Sequence, residues 1–144
     1  MRPVSIVWFE RFYLASLVLG LLGSISNWST ISAVTQAAPG ASGFVATSTF
    51  LIMVMAIGYG FSLLFWFLVA RRGSKVAKWI FVVFFAIGLL SLPGVLRNPM
   101  YNTPLVAMTL INSLLQLAAV VCLFRADTHD WFNGRKPVDP DAFN

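Results

Sequence analysis

Residues able to do chemistry are few in this chain, and they fall into three places. His129 lies between Asp127 and Asp130, which puts one imidazole and two carboxylates close together. A divalent metal needs three or four converging ligands, and the chain has one histidine in all. The trio therefore reads as part of a solvated segment rather than a metal site. Glu10, beside Arg11, is the acid nearest an apolar run. A proton-coupled transporter keeps such a group inside the membrane, where its charge can be exchanged. At the edge of a run, an interfacial ion pair with Arg11 or with the Arg71–Arg72 pair is the simpler reading. The third place is a polar stripe: Thr109, Asn112, Ser113 and Gln116 at i, i+3, i+4 and i+7 share one helical face.

Cys122 is the single cysteine, which excludes an intrachain disulfide and any paired-cysteine redox motif. It reads as a small apolar residue near a helix end. No Ser/His/Asp or Cys/His set and no phosphate loop can be assembled, and a lone histidine excludes bis-histidine haem ligation. No catalytic, cofactor-binding or metal residue is assigned, and no cofactor is expected.

The elements that carry these residues follow from the spacing of charge. Only 10% of the 144 residues are charged and 58% are hydrophobic, against about 25% charged in an ordinary soluble domain. The mean hydropathy is +0.81. No Asp, Glu, Lys or Arg occurs between Phe12 and Ala70, between Ile80 and Leu96, or between Asn98 and Phe124. About 20 apolar residues cross a hydrocarbon layer of roughly 30 Å, so the first gap must hold two spans. Its middle, 27–43, is rich in Ser, Thr, Gly and Ala and reads as a loop.

Four spans are expected, at about 5–27, 46–70, 76–96 and 104–125, with Pro93-Gly94 as the stop signal of the third and Pro104 in the first turn of the fourth. The fold class is an all-α membrane protein, an up-down four-transmembrane-helix bundle over 1–133. A flexible cytosolic tail over 134–144 follows, with 127–132 continuing the last helix along the interface on the anchors Trp131 and Phe132. A cleaved leader is disfavoured: Glu10 is poorly placed for one, and the nearest small-residue site, at Thr35 and Ala37, lies too far on.

Nine of the ten Lys and Arg fall on one side of this arrangement, and only Arg97 on the other. The positive-inside rule makes that side cytosolic and leaves both termini there. Trp8, Trp66, Trp79 and Trp131 mark the same edge, and Trp28 and Tyr101 the opposite one. The expected location is a bacterial inner membrane, multi-pass. The formal charge of +5 is read as topology, and a nucleic-acid partner is not expected. Arg71, Arg72, Lys75 and Lys78 also form a juxtamembrane cluster suited to anionic headgroups.

Lipid tails are as apolar as leucine, so close packing and hydrogen bonds must join the helices. Ser16, Gly20 and Ser24 recur at intervals of four in the first span, as do Ala56/Gly60 and Gly58/Ser62 in the second. The polar stripe of the fourth span should turn from lipid toward the bundle, another subunit or water. Tyr59 and Asn27 are its candidate partners. The stripe serves either as interhelical glue or as the lining of a pathway.

The runs Val7-Trp-Phe-Glu-Arg-Phe-Tyr-Leu-Ala-Ser, Arg71-Arg-Gly-Ser-Lys-Val-Ala-Lys-Trp and Leu123-Phe-Arg resemble small four-span inner-membrane proteins of Gram-negative bacteria. That family brings no assigned activity and so no residue roles. Small multidrug resistance proteins are similar in size but place a glutamate well inside the first span, and the disulfide-forming quinone reductases need paired cysteines. The functional expectation is a non-catalytic accessory, scaffold or assembly subunit that contacts lipid and other membrane-protein subunits or copies of itself. A small transporter or channel is the alternative, and a membrane enzyme the third reading.

Overall fold

The computed structural model describes residues 3–38, 40 and 43–133. Arg2 and the tail over 134–144, with Arg135 and Lys136, lie outside them, as does the side chain of Asp130. Among the described residues six α-helices follow in order: α1 (Val4–Ser26), α2 (Trp28–Gln36), α3 (Ser48–Ala70), α4 (Lys75–Arg97), α5 (Thr103–Leu123) and α6 (His129–Asn133). Short 3-10 turns precede α3 and α6, and the described residues contain no strand. Helices α1, α3, α4 and α5 are each long and apolar enough to cross a membrane. The chain is an all-α, four-span helical bundle.

Local chemistry sets most of the ends. Thr47, Ser74 and Asn102 each accept a backbone N–H three residues on, which caps α3, α4 and α5. Between α3 and α4 the Gly73 backbone takes a left-handed φ of +59°. The Ser74 N–H then closes onto the Leu68 carbonyl at 3.1 Å, so Gly73 ends one helix and Ser74 starts the next.

Three sequence expectations are corrected. The stretch read as loop is helical over Trp28–Gln36. Gly and Pro are absent from 24–38, and the hydroxyls suspected of breaking the chain bond back onto it, Ser32 to the Ser29 carbonyl and Thr35 to the Ile31 carbonyl. Pro93 does not stop α4, which runs one turn further to Arg97. A proline forfeits one backbone bond, a loss that membrane helices tolerate. Finally, α5 does not run on through 127–132. It ends at Leu123, and Thr128, 1% exposed, donates its hydroxyl to the Leu123 and Arg125 carbonyls to reverse the chain into α6.

Burial is lopsided. Ile6, Phe9, Val69, Ala70, Phe81, Leu123 and Phe132 are all buried, and all lie toward the end that carries Arg71, Arg72, Lys75 and Lys78. Phe9 stacks on Tyr13 with ring centroids 5.5 Å apart, and both meet Phe81 edge-on. Away from this basic end, α1 and α5 stay together: a Cβ on Gly23 would stand 3.4 Å from the Met108 sulfur. Asn27, also buried, points its amide at the same sulfur, and Asn102 Nδ2 reaches Thr30 Oγ1 at 3.4 Å. Helices α3 and α4 bury side chains only near the basic end and present apolar surface along the rest of their length.

Candidate functional site

The opening between α1 and α3 is a cleft with two compartments. The inner one, of about 280 Å³, is floored by Ser16, Gly20, Gly58, Tyr59, Ser62, Asn112 and Gln116. The outer one, of about 650 Å³, is lined by apolar side chains such as Leu21, Ile25, Ile52 and Leu63. Leu17, Met55 and Tyr59 line both, so the compartments adjoin along these side chains.

The small residues of α1 make the inner compartment. Ser16 is buried, and a Cβ on Gly20 would stand 3.2 Å from the Tyr59 hydroxyl and 3.9 Å from Asn112 Nδ2. Gly20 thus serves contacts within the chain, as do Gly23 and Asn27 one and two turns on. Ser24 turns to the outer compartment and bonds the Gly20 carbonyl. The Tyr13 hydroxyl donates to the Ser62 carbonyl at 3.1 Å and ties α1 to α3 where the cleft meets the buried core.

The polar stripe of α5 divides. Thr109 and Ser113 return their hydroxyls to the Leu105 and Thr109 carbonyls, which satisfies them inside their own helix. Asn112 and Gln116 line the inner compartment with Tyr59. Asn27, the other candidate partner, bonds the Gly23 carbonyl nearer the far end. Asn112 Oδ1 is buried and has no hydrogen-bond donor among the described residues. Gly60 faces away from these groups, with nothing within 4 Å of where a Cβ would stand.

At the basic end, Arg71 reaches Glu10 at 3.4 Å. The carboxylate near the membrane edge therefore pairs with the loop arginine, an exposed contact worth about 0–1 kcal/mol. The basic residues expected to meet anionic lipid also sit over aromatic rings: Arg71 on Trp66, Arg72 on Phe67, and Lys78 on both Phe124 and Phe132. Lys75 is exposed.

Sequence reasoning missed the segment after α5. Asp127 Oδ2 accepts the Ser5 N–H at 3.1 Å and so caps the start of α1, where Pro3 supplies no side-chain cap. Trp131 Nε1 donates to the Val69 carbonyl at 3.3 Å. His129 meets Asn133, whose Nδ2 is 2.8 Å from its Nδ1, and no cluster of metal ligands forms among the described residues. The signal that could have found this clasp is the pairing of a helix-reversing Asp-Thr with two adjacent aromatics.

Hydrogen bonding from Ser5, its hydroxyl and then its backbone N–H, holds the Asp127 carboxyl below the usual carboxylate range. A depressed folded-state pKa stabilises the fold above the unfolded value of about 3.9 and loses that contribution as pH falls through the folded value. Asp127→Asn keeps an acceptor but does not titrate. It should flatten the decline in thermal stability measured in detergent below about pH 4; an unchanged acid slope would remove Asp127 from this role.

No family model, curated protein or solved structure matches the chain.

Proposed function

We propose that this small integral membrane protein is a non-catalytic accessory, scaffold or assembly subunit of a bacterial inner membrane, with both termini cytosolic. The observation that carries this reading is the open surface of α3 and α4. Gly60 and Gly88 sit on faces where, their own helix backbone aside, none of the described residues comes within 4 Å of a Cβ position. Small residues on a membrane helix let another backbone approach closely, the main source of helix association in lipid. These two faces suit a helix from another subunit or from a second copy of this chain. The concentration of Lys and Arg at one end, and the resemblance to four-span inner-membrane proteins, support the location and orientation.

Gly60→Leu and Gly88→Leu should leave helix content unchanged and release the partner, or the second copy, that accompanies the protein in mild detergent. Purification of the native chain with neither a stoichiometric partner nor a second copy would sink the subunit reading, and retention by both variants would move the contact off these two faces. Gly20→Leu, by contrast, should disturb the fold itself.

A transporter reading draws on Tyr59, Asn112 and Gln116 in the inner compartment. On α1 and α3 that compartment reaches only to Ser16 and Ser62, and the buried rings of Phe9, Tyr13 and Phe81 lie nearer the basic end. Liposome flux reduced by Asn112→Leu together with Gln116→Leu would favour transport over the subunit role.

A further inference from the structure

Beyond any subunit role, we propose that the cleft between α1 and α3 binds a membrane-dissolved amphiphile: a long apolar chain ending in one uncharged hydroxyl. Asn112 lies near the middle of Thr103–Leu123, and Tyr59 near the middle of Ser48–Ala70. At 1.5 Å per residue both stand about 15 Å from their helix ends, close to the centre of the hydrocarbon layer. A phospholipid headgroup rests at the interface, well short of that depth. The ligand's polar group must therefore belong to a molecule that dissolves in the layer itself.

The lining sets its chemistry. Among the described residues no charged one borders either compartment, so an ionised head would be buried without a counter-charge, which is costly. Ser16 and Ser62 commit their hydroxyl protons to the Tyr13 and Gly58 carbonyls, which leaves their oxygens as acceptors. Asn112 Oδ1 adds a buried acceptor without a donor. A buried acceptor left unpaired costs stability until a donor arrives, and Tyr59, Asn112 and Gln116 also bring donors to this floor, so a group that both gives and takes a hydrogen bond suits it. A hydroxyl both donates and accepts, so it would satisfy the Asn112 amide in either orientation of its oxygen and nitrogen.

The apolar compartment accounts for the rest of the molecule. It runs from Leu63 along Leu17 and Met55 toward Ile25 and Ile52, and it opens to the lipid side. An apolar trough with a few placed polar groups, of several hundred Å³, is the usual form of a small-molecule site. The hydroxyl would rest on Asn112, and the chain would lie in the trough pointing away from the basic end.

The test uses the full chain in phosphatidylcholine nanodiscs, photolabelled with a diazirine-bearing hexadecanol and mapped by peptide mass spectrometry. Adducts should concentrate on 14–28 and 52–63. Unlabelled hexadecanol should compete about 3- to 10-fold better than hexadecane, the ratio one net hydrogen bond supplies. Asn112→Leu should bring the two competitors level. Should that variant fail to fold, Leu63→Trp fills the trough from a half-exposed position and should cut labelling of 14–28 at unchanged helix content. Equal competition in the native chain would overturn the proposal. So would palmitate competing as well as hexadecanol, adducts as dense on the outward face of α4 as in the cleft, or a crosslink from the cleft to another polypeptide in place of the alcohol.

Discussion

Gly73→Val should detach α6 from the bundle, at a cost of about 2–4 kcal/mol. Two effects combine at this position. The φ of +59° is one that a β-branched residue resists, and a Cβ there would stand 2.7 Å from the Trp131 carbonyl oxygen. That oxygen is backbone, so relief requires moving the whole α6 turn, which takes the Trp131 bond to the Val69 carbonyl with it. Hydrogen–deuterium exchange should show the amides of 126–133 opening while those of α3 and α5 stay protected. Gly73→Asn separates the two effects, because Asn accepts the left-handed backbone but keeps the clash. If exchange over 126–133 matches the native rate in Gly73→Val, the clasp does not depend on this contact.

Phe9→Ala should be the most damaging change among the buried side chains. Phe9 is 1% exposed, stacks on Tyr13 and meets Phe81 edge-on. In a water-soluble core such a truncation costs about 3–5 kcal/mol, part of it for transferring the ring out of water. Here a parted helix face meets acyl chains rather than water, so that part largely cancels. The unfilled cavity and the lost ring contacts remain, on the order of 2 kcal/mol. Unfolding of the reconstituted protein by dodecyl sulfate titration measures it. A full loss of 3–5 kcal/mol would show that this end of the bundle lies in water rather than lipid.

The four spans were legible because charge exclusion over twenty residues has few other physical causes, and three of their starts carry a side-chain cap at Thr47, Ser74 or Asn102. What lay between them was harder. Ser, Thr and Asn at 27–35 look like loop residues when hydroxyls and amides are counted as competitors of the backbone. Inside a helix the same groups bond back a turn, as Ser32 and Thr35 do. Pro93 misled for a related reason, since one forfeited bond does not end a helix in lipid. Periodicity put Thr109, Asn112, Ser113 and Gln116 on one stripe, yet only the two amides reach the cleft. Thr109 and Ser113 spend their hydroxyls on carbonyls of their own helix while Asn112 and Gln116 extend into the cleft, a division that spacing alone does not encode. The Asp127 cap joins residues 122 positions apart, a distance no local pattern reports.

The tight pairing of α1 with α5 also fixes an order of events during biosynthesis. Helix α1 leaves the ribosome well before its main neighbour α5, 77 residues further along from Ser26 to Thr103. At about 5–20 residues per second, it waits on the order of 4–15 s before that neighbour even starts to emerge. Throughout that interval Ser16, Gly20, Gly23 and Asn27 face lipid or the insertion machinery instead of α5. The nascent chain is thus a set of separate threads until α5 emerges. Truncation anywhere before α5 would leave the opening helix an orphan, exposed to membrane quality control.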